Sequence, residues 1–182
     1  MASALQILQF HSDRLSIRPL VEQDALGLHS YRSDQTTNRF QGWISKSETD
    51  ALNFIKRCAQ EPDQPDTWVQ LGIFDKKSGT MYGDIGIHYL NDTRQVEFGI
   101  TIGKSHQGKG LAKEALTIVA HHMFRSLGKH RIVARILAAN EPSIRLFESL
   151  GFRKEGHFIQ SEEFEDQWTD LVQFALLEGE LD

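Results

Sequence analysis

Apolar and polar positions alternate over Leu15-Ser16-Ile17-Arg18, and the alternation stops at Pro19, which predicts a short strand. Val21 to Ser30 reads as a helix, with Glu22 and Asp24 in a first turn that favours carboxylates. Ser47 is placed to cap a second helix running to about Gln60, with Leu52, Ile55 and Ala59 at helical spacing. Prolines and aspartates then mark Glu61 to Asp66 as a loop. Three strands are expected next, over Trp68 to Phe74, Tyr82 to Tyr89 and Gln95 to Ile102. In the third, Val96, Phe98, Ile100 and Ile102 alternate with Glu97, Gly99 and Thr101. The turns between these strands are short, which implies antiparallel hairpins.

Gly110 to Ser126 carries Leu111, Ala115, Ile118, Val119 and Met123 as a helical stripe, closed by Gly128. Arg131 to Leu137 is a strand. Asn140 to Leu150 is a helix, with Asn140 as N-cap, Pro142 in the first turn and Gly151 after its end. Strands over about Phe152 to Ile159 and Trp168 to Leu177 flank an acidic loop, Ser161 to Asp166. This order predicts an α/β fold with a mixed, mostly antiparallel central sheet, covering helices and one crossover at its centre. A length of 182 residues suits one domain over 1–182 and is enough to bury a core without staples.

The net charge of −5 provides no basic footprint, so no nucleic-acid partner is expected, while a cationic substrate is compatible. Met1 to Gln9 has no basic residue ahead of its apolar stretch and does not read as a signal peptide. No apolar run approaches the roughly 20 residues of a membrane span, so no membrane partner is expected. The lone cysteine, Cys58, forms neither an internal disulfide nor a Cys-rich zinc site, which points to a reducing cytoplasm. On a helix it reads as a small apolar residue rather than a nucleophile. Of the eight histidines, His121 and His122 are adjacent and point about 100° apart on their helix, and no HExxH spacing exists. No metal is expected.

The stretch Glu97 to Ala112 is strand, glycine-rich turn and helix start. A helix N-terminus exposes unpaired N–H groups, and glycines let the backbone approach an anion, so a phosphate or pyrophosphate is the natural guest. Gly103-Lys104-Ser105 supplies half of a Walker A loop, but Phe98 stands where the first glycine belongs. A dinucleotide fingerprint fails at Lys113, where a third glycine is required.

Gln107-x-x-Gly110-x-Ala112 is similar to the acetyl-CoA loop of the GNAT N-acetyltransferases, Gln/Arg-x-x-Gly-x-Gly/Ala. The wider chain resembles their RimJ/RimL-type branch through Arg14-Leu15-Ser16-Ile17-Arg18-Pro19-Leu20, Val96-Glu97-Phe98-Gly99-Ile100, Gln107 to Ala115, and Asn140-Glu141-Pro142-Ser143 leading to Leu150-Gly151-Phe152. Four blocks in order over nearly the whole chain make the resemblance specific. It implies a sheet splayed at the cofactor site with helices on both faces, and acetyl-CoA as co-substrate.

The resemblance also distributes roles. Backbone N–H groups of Gln107, Gly108, Lys109, Gly110, Leu111 and Ala112 would cradle the pyrophosphate; the plainer reading is an unliganded helix start. Lys104, Lys109 and Lys113 would add charge or simply be solvated. The edge of Ile100, Thr101 and Ile102 would pair with the pantetheine arm as a pseudo-strand. Asn140 would hydrogen-bond the same arm, or only cap its helix. Glu97 would be the base that frees the amine for attack, or an outward strand carboxylate. Ser143 would donate to the departing thiolate, or be a plain first-turn serine. Many members carry a Tyr before the Leu-Gly-Phe block; here Phe147 stands in that region and has no proton to give. The acidic loop and Trp168, with Phe40 and Trp43 opposite, would wall an acceptor site or merely be solvated and packed.

The expected activity is acetyl transfer from acetyl-CoA to a primary amine by direct attack in a ternary complex. A protein N-terminus such as that of a ribosomal protein is favoured, with a small amine such as a polyamine open, by a monomer or homodimer. The alternative is a non-catalytic acyl-CoA-binding sensor or interaction module.

Overall fold

A computed structural model describes residues 7–58 and 61–181. Its eight strands form one sheet. In chain order they are β1 (Phe10–His11), β2 (Leu15–Pro19), β3 (Thr67–Asp75), β4 (Met81–Tyr89), β5 (Gln95–Ile102), β6 (Arg131–Leu137), β7 (Arg153–Phe164) and β8 (Gln167–Leu177). The helices are α1 (Ala25–Arg32), α2 (Gln35–Asn38), α3 (Glu48–Arg57), α4 (Leu111–Arg125) and α5 (Glu141–Ser149). The spatial order is β1-β2-β3-β4-β5-β6-β8-β7, antiparallel throughout except for β5 beside β6. The expected α/β architecture and its single central crossover, through α4, are therefore observed.

Strand alternation sorts residues onto two faces. Val69, Leu71 and Ile73, Ile85, Ile87 and Tyr89, Val96, Phe98 and Ile102, and Ile132, Ala134 and Ile136 form one core with Leu111, Ala115, Leu116, Val119 and Met123 of α4. On the opposite face, α1 and α3 pack Leu28, Tyr31, Ala51 and Ile55 with Phe74 in a smaller cluster. Ser47 caps α3 as expected, its hydroxyl accepting from Asp50 N at 3.1 Å. The helix ends at Arg57, short of Gln60; Ala59 and Gln60 lie outside the described residues, as do Met1 to Gln6.

The two-residue strand β1 is absent from the sequence reading, and three further features depart from it. The segment after Pro19 is a 3₁₀ turn, Glu22–Asp24, that feeds α1. Asp24 is spent at that entry, accepting from Val21 N and from Arg18. α2 was not anticipated; it is one turn, started by Asp34 accepting from Thr36 N. Ser161 to Phe164 are strand, not loop: β7 runs to Phe164, and the reversal is confined to Glu165 and Asp166, both with positive φ (51° and 60°). A two-residue reversal of that hand matches strand twist, so the hairpin closes tightly and the acidic side chains stand on a ladder.

Candidate active site

β5 and β6 are parallel neighbours only over Gln95–Glu97 against Arg131–Val133. Beyond Glu97 the two strands diverge, and the C-terminal half of β5 has no ladder partner on that side. Both strands lead into helices at this end. The crevice therefore lies at the carboxyl ends of parallel strands, between the N-termini of α4 and α5, where aligned N–H groups favour anions.

The turn into α4 is shaped for close approach. Gly108 and Gly110 have φ of 72° and 76°, the left-handed region natural to glycine. A Cβ on Gly108 would meet nothing within 4 Å, and Gly110 provides α4 with no side-chain cap. Its first N–H groups are thus left for an outside acceptor. Gln107 turns inward, donating Nε2 to Ile102 O at 2.8 Å, so its side chain fastens the turn to β5. Arg14 donates to Lys109 O at 3.1 Å and pairs with Glu114, tying the turn to β2. α5 is capped: Asn140 Oδ1 accepts from Ser143 N at 3.4 Å.

A cleft of about 680 Å³ opens at the split. Its walls include Ile100, Thr101 and Ile102 of β5, Gln107, Gly108, Gly110, Leu111 and Ala112 of the turn, and Asn140 and Ser143 of α5. The structure thus brings together every residue expected to hold the cofactor except the Lys109 side chain, which bends back to donate to Ser105 O at 2.8 Å. Lys104 and Lys113 do line the cleft. The residues fit an acetyl-CoA guest: an anion-seeking helix start, an unladdered strand edge, and a buried Thr101 hydroxyl with no partner among the described residues.

Glu97 stands at the apex, the last paired residue before the split, on the sheet face away from α4. It is not part of the cleft wall. The wall begins at Ile100, about 10 Å along the strand. Between them Gly99 leaves local room: a Cβ there would meet nothing within 4 Å. Glu97 lies opposite His88 of β4, with His88 Nδ1 3.9 Å from Glu97 Oε2. Burial pushes its carboxyl above the usual value, against the opposing pull of Arg135 and His88.

The same face holds a second carboxylate, Asp84, opposite Thr101. It accepts from Tyr31 Oη at 2.5 Å, Arg32 Nε at 3.0 Å, Arg32 Nη2 at 2.6 Å, and Gln70 Nε2. This knot fastens α1 to the sheet and so positions the chain that follows it. Thr36, Thr37, Arg39 and Phe40 from that chain form the far wall of the cleft. Arg39 and Phe40 also border a side cavity of about 250 Å³ that reaches Phe164, Glu165 and Gln167 at the β7–β8 tip. Trp43, expected as a possible wall, packs instead, stacked on Phe54 at 4.3 Å.

Sequence reasoning missed His88, Arg135 and the threonines of α2. Each sits in an ordinary polar position of its element, and only the strand register and the α1 anchor bring them to the site. Phe147 is buried against Phe152 at 5.0 Å, a core residue. Cys58 is half-buried, and burial pushes its thiol up to about 11, far from a thiolate at neutral pH. Among the described residues no helix is long and apolar enough to cross a membrane.

Comparison with known proteins agrees with this geometry. Residues 14–153 match the model of the acetyltransferase (GNAT) domain. The chain is 42% identical to the ribosomal protein uS5-alanine N-acetyltransferase of Escherichia coli, over 91% of this chain and 88% of that one. A GNAT-family acetyltransferase from Bacillus anthracis superposes with a TM-score of 0.85 at 25% identity, covering 94% of this chain and 99% of that one. The spermidine N-acetyltransferase of Vibrio cholerae in complex with CoA and spermine shares the fold, with a TM-score of 0.78 at 20% identity, covering 93% of this chain and 98% of that one. A sheet splayed between two helix N-termini, a glycine-bearing turn where an acetyl-CoA loop is expected and a domain match over most of the chain lead to one assignment: this protein belongs to the GNAT family of acetyl-CoA-dependent N-acetyltransferases.

Proposed function

We propose that this enzyme acetylates a protein N-terminal α-amine, with a ribosomal protein as the favoured acceptor, by direct attack in a ternary complex. The observation that carries the reading is the placement of Glu97: a partly buried carboxylate at the apex of the split, three residues along β5 from the cofactor cleft, with room beside Gly99 between them. The choice of acceptor follows the 42% identity with the uS5-alanine N-acetyltransferase along nearly the whole chain.

In this reading the N–H groups from Gln107 to Ala112 bind the pyrophosphate and the unladdered edge of β5 at Ile100 to Ile102 holds the pantetheine arm, with Asn140 on its other side. The acceptor enters between the α2 wall and the β7–β8 tip. Glu97 takes the proton that an alkylammonium must lose before it attacks. Its burial suits the task, because a carboxyl raised toward neutrality is a stronger base than a solvated one. The Ile100 N–H polarises the thioester carbonyl, and Ser143 or water supplies the proton to the departing thiolate. Holding both reactants in one crevice contributes much of the rate. One chain carries every residue named, so a monomer and a homodimer serve equally.

A polyamine acceptor is the second reading. It is favoured by Glu163, Glu165 and Asp166 at the β7–β8 tip, whose charge attracts a cation. Free-thiol release from acetyl-CoA, with an Ala-initiated peptide and spermidine compared side by side, separates the two. The peptide is expected to turn over at least ten times faster in kcat/KM, a difference of about 1.4 kcal/mol. Faster spermidine turnover overturns the assignment. Glu97→Gln is expected to lower kcat by about 10²–10⁴-fold while the KM for acetyl-CoA stays put.

A further inference from the structure

Glu97 is one end of a line of polar side chains that its assigned role does not use. Across the β3–β4–β5 ladder, Trp68, His88 and Glu97 stand side by side on one face. The His88 ring lies flat on Trp68, with centroids 4.7 Å apart and planes 7° from parallel. Trp68 is held close over the sheet, since a Cβ on Gly86 would come within 3.0 Å of its ring. His88 Nε2 lies 2.9 Å from Asp66 Oδ1, in the loop before β3. The other ring nitrogen, Nδ1, faces Glu97 Oε2. The imidazole is therefore fixed in plane by an indole and in rotation by a carboxylate, and its remaining nitrogen points at the base.

We propose that His88 is a positioning residue for Glu97: braced by Asp66 and Trp68, it engages Oε2, directly or through one water, and leaves Oε1 turned toward the open space over Gly99. A gap of 3.9 Å suits a water bridge or a small closing movement when the acceptor binds. The inference rests on the reading of Glu97 as base and extends it by saying what aims that base.

Three charged or titratable groups face this pair. Asp66 meets the far edge of His88. Arg135 of β6 lies beside Glu97 and pairs with Glu162 of β7. Arg135 and His88 both favour the ionised form of Glu97, whereas Glu162 opposes it. Arg135 is braced from the β7–β8 hairpin and His88 from the β3 side, so the base is held between two supports on separate elements. Removal of His88 takes away one of the two. The surviving carboxylate should then be both less well aimed and harder to ionise.

The test compares His88→Leu, Asp66→Asn and Glu97→Gln, with full pH–rate profiles for the preferred acceptor. Asp66 is largely exposed, so its variant keeps the question answerable if His88→Leu folds poorly. His88→Leu is expected to lower kcat about ten- to hundredfold, the scale of one hydrogen bond to a charged group. The acid limb of its profile should move to higher pH while the KM for acetyl-CoA is unchanged. Asp66→Asn should move the limb the same way by less. A His88→Leu or Asp66→Asn enzyme with the wild-type limb and kcat, beside a collapsed Glu97→Gln, overturns the inference and leaves the base standing. Full activity in Glu97→Gln overturns both.

Discussion

Two carboxylates lie on the same face of the sheet within one strand pair, and they are handled in opposite ways. Asp84 is completely buried and accepts from four donors on three side chains. Glu97 is partly buried, faces one imidazole at 3.9 Å and looks onto the empty space over Gly99. A carboxylate surrounded by donors has no lone pair left for chemistry; it is a fastener. A carboxylate that is desolvated but left short of partners keeps an affinity for a proton. The difference lies in what the neighbouring elements bring to each, not in residue type or depth alone.

The largest expected effect breaks the fastener. Asp84→Ala leaves Arg32 buried and unpaired and should cost about 3–5 kcal/mol in denaturant unfolding. An intact fold with less than about 1 kcal/mol lost would show that the α1 anchor is not what holds the cleft wall. The Glu97→Gln loss of kcat given above is the matching test of the other carboxylate. Next comes the cofactor side. Gly110→Ala places a Cβ at φ 76°, where it meets only Arg14 Nη2 at an ordinary 3.7 Å. Its cost is therefore backbone strain of about 1–2 kcal/mol, read in thermal unfolding, with a raised KM for acetyl-CoA.

The smallest effect has its sign set by burial. The carboxyl of Glu97 is raised above its unfolded value, so its contribution to stability is fully present below the unfolded pKa and is lost as pH rises through the folded one. Gln carries no such loss. Melting temperatures of Glu97→Gln and wild type should draw apart as pH rises from the ordinary carboxylate value through the raised one, with the variant gaining. A constant difference across that range would mean that Glu97 is not held against its ionisation.

Much of this was legible beforehand. Gln95 to Ile102 and Arg131 to Leu137 are delimited to the residue, the first by its strict alternation, the second by a short apolar run rich in β-branched residues between a glycine-bearing turn and a helix cap. The cleft wall is legible for a different reason: the role proposed for the turn from Gln107 to Ala112 is a backbone one, so glycine positions and the helix start mark it directly. The acidic loop was misjudged because charged residues suit a turn and an exposed edge strand equally, and only the ladder from Glu162 to Thr169 and Glu163 to Trp168 separates them. α2 escaped because a single turn presents no periodicity to read.

The sequence by itself determined most of the elements, the apolar face of the strands it marked and the glycine-bearing turn and helix start where an anion would sit. These depend on neighbours in the chain: side-chain period, caps and glycine dihedrals. Only the tertiary structure decided that β5 and β6 part after Glu97, that Asp84 is saturated and Glu97 is not, and that His88 stands between Asp66 and Glu97. Those facts depend on strand order and register, which join residues distant in sequence, and a shift of one residue would send each of these side chains to the other face.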